Sequence, residues 1–292
     1  MLLAQLLVNG VAACGIYALL AIGFALIYNT TRIFHLAHAS VYTFGAYAYF
    51  VLSAWIGLGP WVSAPFAVLF AALFGMAIEL AVYRPVRRAE GGSSAILIAT
   101  LGTMSLCQAL FELVFSTDTK SLREGPLPGF SAGDLTISIL HIAILIVVLL
   151  AFPALQWFLK SSRIGTAIRA LAENPPLAQV QGIDTERLYL IIFLLGSALA
   201  GVAAVFTSLD LGVRPEMGFD IIFIAIVAVV IGGVGYLPGA LAGAFALGIV
   251  QQLAVWKLNS AWQGALVFTI LLVFLLVRPH GFFGGRAVMR QA

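Results

Sequence analysis

Two histidines, His35 and His38, stand three residues apart in FHLAHASVYTFGAY, followed closely by Ser40, Tyr42, Thr43 and Gly45. Imidazoles and hydroxyls this close in sequence suit metal ligation, proton transfer or the lining of a polar path. A metal site needs a third ligand, and the stretch offers none, so that signal is weak. Glu79 and Glu112 stand inside apolar runs, each near an end of its run. A charge at the bilayer centre costs roughly 2.5–3.5 kcal/mol on insertion scales, so a proton relay would show acids in series at mid-depth. No such series is present. The HExxH and GxSxG patterns of zinc proteases and serine hydrolases are also absent. Lys120 and Lys160 each precede a serine, but Thr119 and Leu159 stand where a phosphate loop needs glycine. The chain therefore carries no nucleotide site of that kind.

The elements that hold these residues must lie in lipid. Of the 292 residues, 62% are hydrophobic and 9% charged, and mean hydropathy is +1.08. Soluble domains hold roughly 45–50% apolar residues. The net charge of +3 sits in short clusters between apolar runs, with no basic patch interleaved with aromatics, so nucleic acid is excluded as a partner. Cys14 and Cys107 lie in separate apolar runs and form neither a CxxC pair nor a disulfide framework. The first run, with no basic segment before it, reads as a transmembrane helix and not a cleaved signal.

Apolar runs recur at 4–28, 37–57, 61–83, 93–115, 135–159, 187–209, 219–234, 237–256 and 262–278. All but 219–234 have the length to cross about 30 Å of hydrocarbon as helix, and helix alone satisfies the backbone there. The expected fold is an all-α polytopic integral membrane protein with about eight or nine transmembrane helices, some broken or re-entrant, in one domain over 1–292. Arg32, Arg84, Arg87, Arg88, Lys160, Arg163, Arg169, Arg187, Arg278, Arg286 and Arg290 would share one side. Lys120, Arg123, Arg214 and Lys257 would take the other. The positive-inside rule then puts the C-terminus in the cytoplasm and the N-terminus outside. Residues 116–134, polar and broken by Gly and Pro, read as an external loop.

The polar stretch 160–186 is too elaborate for a connector. Ile164, Ile168 and Leu171 share one helical face. Asn174 suits an N-cap with Pro175 at the first helical position. Gly182 suits a left-handed stop, and Asp184 suits the cap of the next span. The pattern predicts a short helix across the cytoplasmic end, with Leu177 and Val180 on one side, built to dock another protein. Further along, IGGVGYLPGALAGAFALG places Gly232, Gly233, Gly235, Gly239 and Gly243 close together. Gly239 and Gly243 read as packing positions. Gly232, Gly233 and Gly235 suit a broken helix whose free backbone lines a cavity.

GTAIRALAENPPLAQVQGID resembles the cytoplasmic loop of LivH-type permeases, the membrane subunits of branched-chain amino-acid ABC importers. GIYALLAIGFALIYNTTRIFHLAHASVYTFGAY, ELAVYRPVRR, AIVAVVIGGVGYLPGALAGAFALGIVQ and VRPHGFFG are similar to that family in the same order, over nearly the whole chain. The resemblance implies a permease subunit of the ABC importer type that forms the path for branched-chain or related amino acids. It implies no catalytic residue here. Its partners would be a second, related permease chain, two cytoplasmic ATPase subunits that bind ATP and magnesium, and a periplasmic binding protein. Its place would be the bacterial inner membrane. By the same resemblance Arg163, Gly165, Arg169, Glu173, Asn174, Pro175 and Gly182 couple the chain to the ATPase. The turn with His38, Ser40, Tyr42 and Gly45 would lie near the translocation path, with Gly232, Gly233 and Gly235. Relatives commonly carry Gly and an acid where Ala39 and Ser40 stand, a departure that bears on any charge-based contact with substrate. An ion-coupled secondary transporter is the alternative reading, and it would require mid-membrane acids and an inverted repeat.

Overall fold

The computed structural model describes residues 2–122, 129–132, 135–257, 262–278 and 281–283. The chain is helical almost throughout: α1 (Leu2–Thr31), α2 (His38–Phe50), α3 (Pro60–Ile78), α4 (Arg84–Arg88), α5 (Ser93–Phe115), α6 (Ile139–Ser161), α7 (Arg163–Glu173), α8 (Pro175–Val180), α9 (Thr185–Leu211), α10 (Met217–Gly232), α11 (Leu237–Lys257) and α12 (Gln263–Val277). Among the described residues six helical segments are long and apolar enough to cross a membrane: Gln5–Thr31, Pro60–Arg88, Ser93–Phe115, Ile139–Ser161, Thr185–Leu211 and Leu237–Ala254. Two shorter apolar helices, Met217–Gly232 and Gln263–Val277, follow the same pattern. Each of the nine apolar runs thus contains a helix.

Two details depart from the expected pattern. The run beginning at 135 opens as a strand: β1 (Gly129–Ala132) and β2 (Leu135–Ser138) pair antiparallel, with Phe130 opposite Ile137. Leu-Thr-Ile-Ser alternates at period two, and that local preference holds until α6 begins at Ile139. The other residues of the expected external loop at 123–128 and 133–134 lie outside the described residues. The second departure is a π-helical turn at Glu79–Tyr83, between α3 and α4. Pro85 has no N–H to give, and its ring would crowd the carbonyl of Ala81, so the helix widens just before it. A similar wide turn extends α2 over Val51–Trp55.

The chain divides into two compact units. The first holds 1–25, 123–150 and 223–292. In it Gly248 lies against Cys14, and a methyl on Gly15 would stand 2.9 Å from the Ile144 side chain. The Gln5 side chain bonds both backbone groups of Thr136, at 2.8 and 2.9 Å, tying the start of α1 to the hairpin. The second unit holds 26–122 and 151–222. Its centre is the packing of α2, α3 and α9, whose facing positions are small: Gly45, Ala71, Gly75, Ser197, Gly201 and Ala204. Without water to drive burial, helices in lipid gain by close backbone approach, and small side chains permit it.

Candidate functional site: a capped surface helix, a buried polar turn and a glycine break

The segment 160–186 folds as its caps dictate. The Ser162 hydroxyl accepts from the Gly165 N–H at 2.8 Å and starts α7. Asn174 Oδ1 accepts from the Leu177 N–H at 3.0 Å and starts α8. Asp184 Oδ1 accepts from the Arg187 N–H at 3.1 Å and starts α9. Each satisfies a donor that a helix start leaves open. Gly182, at φ +78°, supplies the left-handed residue that ends α8. Gly165 packs against the backbone of Phe158 and Leu159, so close that a Cβ would strike Leu159 Cα.

Ile168, Leu171 and Ala178 are buried beneath this segment. Ile164, expected on the same face as Ile168 and Leu171, is exposed: α7 starts at a corner after Ser162, and its first turn rests on α6 through Gly165 instead. Leu177 and Val180 also face outward, Val180 at 82% exposure. Arg163, Arg169, Glu173, Asn174 and Gly182 are exposed on the same segment, with Pro175 half-buried. The segment thus exposes two apolar side chains together with several charged ones. Arg32, in the left-handed region at φ 57°, reaches the Ala172 carbonyl at 3.3 Å and braces the end of α7.

The histidine turn is buried throughout. His35 and His38 have no exposed surface, and their rings lie 5.3 Å apart. Among the described residues no cluster of three or more His, Cys, Asp or Glu is placed to hold a metal. His35 Nδ1 lies 2.7 Å from the Tyr83 oxygen, and Tyr83 donates to Thr100 Oγ1 at 2.8 Å. Thr100 Oγ1 also accepts the Ala37 N–H at 2.9 Å. Tyr42 donates to Thr207 at 2.6 Å, and Thr43 Oγ1 accepts the Gly218 N–H at 3.1 Å. The hydroxyls of Tyr42 and Thr43 therefore fasten α2 to α9 and α10, and the Thr100 hydroxyl of α5 holds the turn that precedes α2. Ser40 is buried beside them. Gly45 is a packing position, with Ala71 and Gly201 against it, and α2 runs through it unbroken.

The glycine-rich stretch breaks where its sequence suggests. Gly232 ends α10, Gly233 and Gly235 take φ 101° and 94°, and α11 starts at Leu237. Gly232 and Gly239 are in backbone contact, and Gly243 lies against Ala228. The Ile231 carbonyl, freed by the break, accepts the Phe282 N–H at 2.8 Å. These three glycines belong to the first unit; His38, Ser40, Tyr42 and Gly45 belong to the second.

Sequence reasoning missed a charged cluster between α4 and α9. In the sequence Arg84, Arg87 and Arg88 mark a side of the membrane and fall within ELAVYRPVRR, with no local sign of what they pair with on α9. Arg84 and Arg88 both pair with Glu186 in the first turn of α9, Arg88 through two contacts at 2.9 and 3.2 Å. Arg87 pairs with Glu79 through both carboxylate oxygens and lies 4.5 Å over the Tyr189 ring. Glu79 is 1% exposed, with Arg87 between its carboxylate and the surface. The signal available was the spacing of Glu79 and Arg87, two turns apart on one continuous helix.

Comparison with known proteins decides what this set of features belongs to. Residues 6–276 match the family model described as branched-chain amino acid transport system / permease component. The chain belongs to that family. The high-affinity branched-chain amino acid transport system permease protein LivH of Escherichia coli K12 is 34% identical over 299 residues, 96% of this chain and 95% of that protein. The high-affinity branched-chain amino acid transport system permease protein LivM of the same organism is 26% identical over 91% of this chain and 67% of its own length. Among solved structures, a chain of PsaBC from Streptococcus pneumoniae in complex with Fab superposes with a TM-score of 0.54 at 13% identity, covering 100% of this chain and 96% of that one. At that identity it speaks for the fold alone: a polytopic helical membrane protein.

Proposed function

We propose that this chain is the membrane-spanning subunit of an ATP-driven importer, forming the path for branched-chain or related amino acids. A periplasmic binding protein delivers the substrate, and a second permease chain of LivM type completes the path. Two ATPase subunits bind ATP and magnesium on the cytoplasmic side, so this chain holds no cofactor and catalyses no reaction. It spans the inner membrane with its N-terminus outside and its C-terminus in the cytoplasm. The single observation that carries the reading is α8: a short helix with Asn174 capping its start, Gly182 ending it, and Leu177 and Val180 turned outward. Exposed apolar side chains on a short, capped helix, in a segment that also exposes charges, suit docking into a groove of another protein. A switch of this kind works only if the docked partner contacts the two states differently.

The test is reconstitution of the chain with its neighbouring ATPases, second permease and binding protein in lipid vesicles. ATP hydrolysis is then measured against a panel of amino acids. Leucine, isoleucine or valine should stimulate hydrolysis through the binding protein, and Arg169→Glu with Gly182→Pro should abolish that stimulation while membrane insertion persists. Stimulation unchanged in the double variant would overturn the docking assignment.

A further inference from the structure

We infer that the three arginines of α4 form a clasp on the start of α9 that carries displacement of α8 into the α2–α3–α9 core. This rests on the docking role of α8 proposed above. Residues Arg84, Arg87, Arg88, Glu186 and Tyr189 are positioning residues in this scheme: they touch no substrate and act through the helices they join.

The geometry has three parts. Only Gln181–Asp184 separate α8 from α9, and Asp184 caps α9 while the Ile183 N–H bonds the Ala178 carbonyl at 3.1 Å. The four-residue link is thus bonded back onto α8 at Ile183 and caps α9 at Asp184, so the two helices are joined by a short, hydrogen-bonded turn. Next, Glu186 and Tyr189 lie three residues apart on α9 and are both held by α4: Arg84 and Arg88 take the carboxylate, and Arg87 takes the ring face. Arginine suits both contacts, since its planar fork pairs with a carboxylate and stacks on an aromatic ring. Finally, Arg87 is fixed from behind by the buried carboxylate of Glu79, which the wide turn before Pro85 brings into reach. A push on α8 therefore meets α3 and α4 at once, and α9 passes it along its contacts with Ala71 and Gly75.

An isolated surface ion pair would contribute little. This one differs because three cations on one short helix converge on two adjacent turns of its neighbour, and one of them is anchored in the interior.

Two measurements test the clasp. In the full reconstituted complex, Glu186→Gln should lower substrate-stimulated ATP hydrolysis about fivefold, the lower end of ordinary coupling factors. Basal hydrolysis and co-purification with the ATPases should stay as they are. The charge reversal Arg84→Glu, Arg88→Glu, Glu186→Arg should restore stimulation, which a merely structural loss would not do. Unchanged stimulation in Glu186→Gln, or a reversal no better than the single variant, would overturn the clasp. Independently of any ATPase, amide exchange is read on the full chain in lipid nanodiscs. Glu186→Gln should accelerate exchange over 176–188, on α8 as well as α9. Acceleration confined to α9, or none, would overturn transmission to α8, whereas an unaltered complex that no amino acid stimulates would count against the importer reading instead.

Discussion

Gly45 of α2 and Gly201 of α9 face each other, and a methyl group added at Gly45 would stand 3.3 Å from the Gly201 Cα. On the other side, a methyl at Gly201 would stand 2.8 Å from the Ala71 side chain and 3.2 Å from Val68 Cα. Three helices meet here with nothing but hydrogen and methyl groups between their backbones.

Gly201→Val should therefore destabilise the folded chain by about 1–3 kcal/mol, the usual cost of overpacking. Thermal unfolding in detergent measures it. Gly102, with nothing within 4 Å of an added methyl, is the control: Gly102→Ala should be neutral or stabilise α5 by about 0.5–1 kcal/mol. Equal effects at the two glycines would contradict close packing as the reason for Gly201.

The caps of the 160–186 segment should act locally. Asn174→Ala removes the acceptor for the Leu177 N–H, a loss of about 1 kcal/mol. Gly182→Ala forces a side chain to φ +78° and costs about 1–2 kcal/mol. Amide exchange over 175–183 should rise in both variants while α2, α3 and α9 stay protected. Global loss of protection would mean that this segment is part of the core and not a separate lever.

Glu79 and Arg87 make a stronger prediction. Removing one partner of a buried pair leaves the other uncompensated, at about 3 kcal/mol or more. Arg87→Met should then lower the unfolding temperature much further than Arg88→Met, whose lost partner Glu186 is part-exposed and keeps Arg84. The removal of both partners, Glu79→Met with Arg87→Met, should recover much of the loss. A double variant as unstable as Arg87→Met alone would contradict the pairing.

These contrasts show which features the sequence carried openly. Ser162, Asn174, Gly182 and Asp184 act on backbone within three or four residues of themselves, so residue type and order were enough to place α7, α8 and the start of α9. The break at Gly233 and Gly235 was legible for the same reason. Ile164 was not, because its exposure depends on where α7 meets α6, which periodicity does not encode. The tie between Glu186 and α4 spans about a hundred positions and leaves no local trace. The partners of the Tyr42 and Thr43 hydroxyls were not legible either, because each is bonded to a helix far away in sequence. The alternating 135–138 looked like the start of a span because alternation and a short apolar run share the same residues.

The central claim is that α8 is the chain's contact with a cytoplasmic ATPase, and cysteine cross-linking reads it most directly. Single cysteines at Val180, at Leu177 and, as an opposite-side control, at Asp118 are introduced into the assembled complex in sealed membranes. Val180→Cys and Leu177→Cys should cross-link to an ATPase subunit, with a yield that changes when ATP is bound, and Asp118→Cys should not. Cross-linking from Asp118→Cys with none from Val180→Cys or Leu177→Cys would contradict the account.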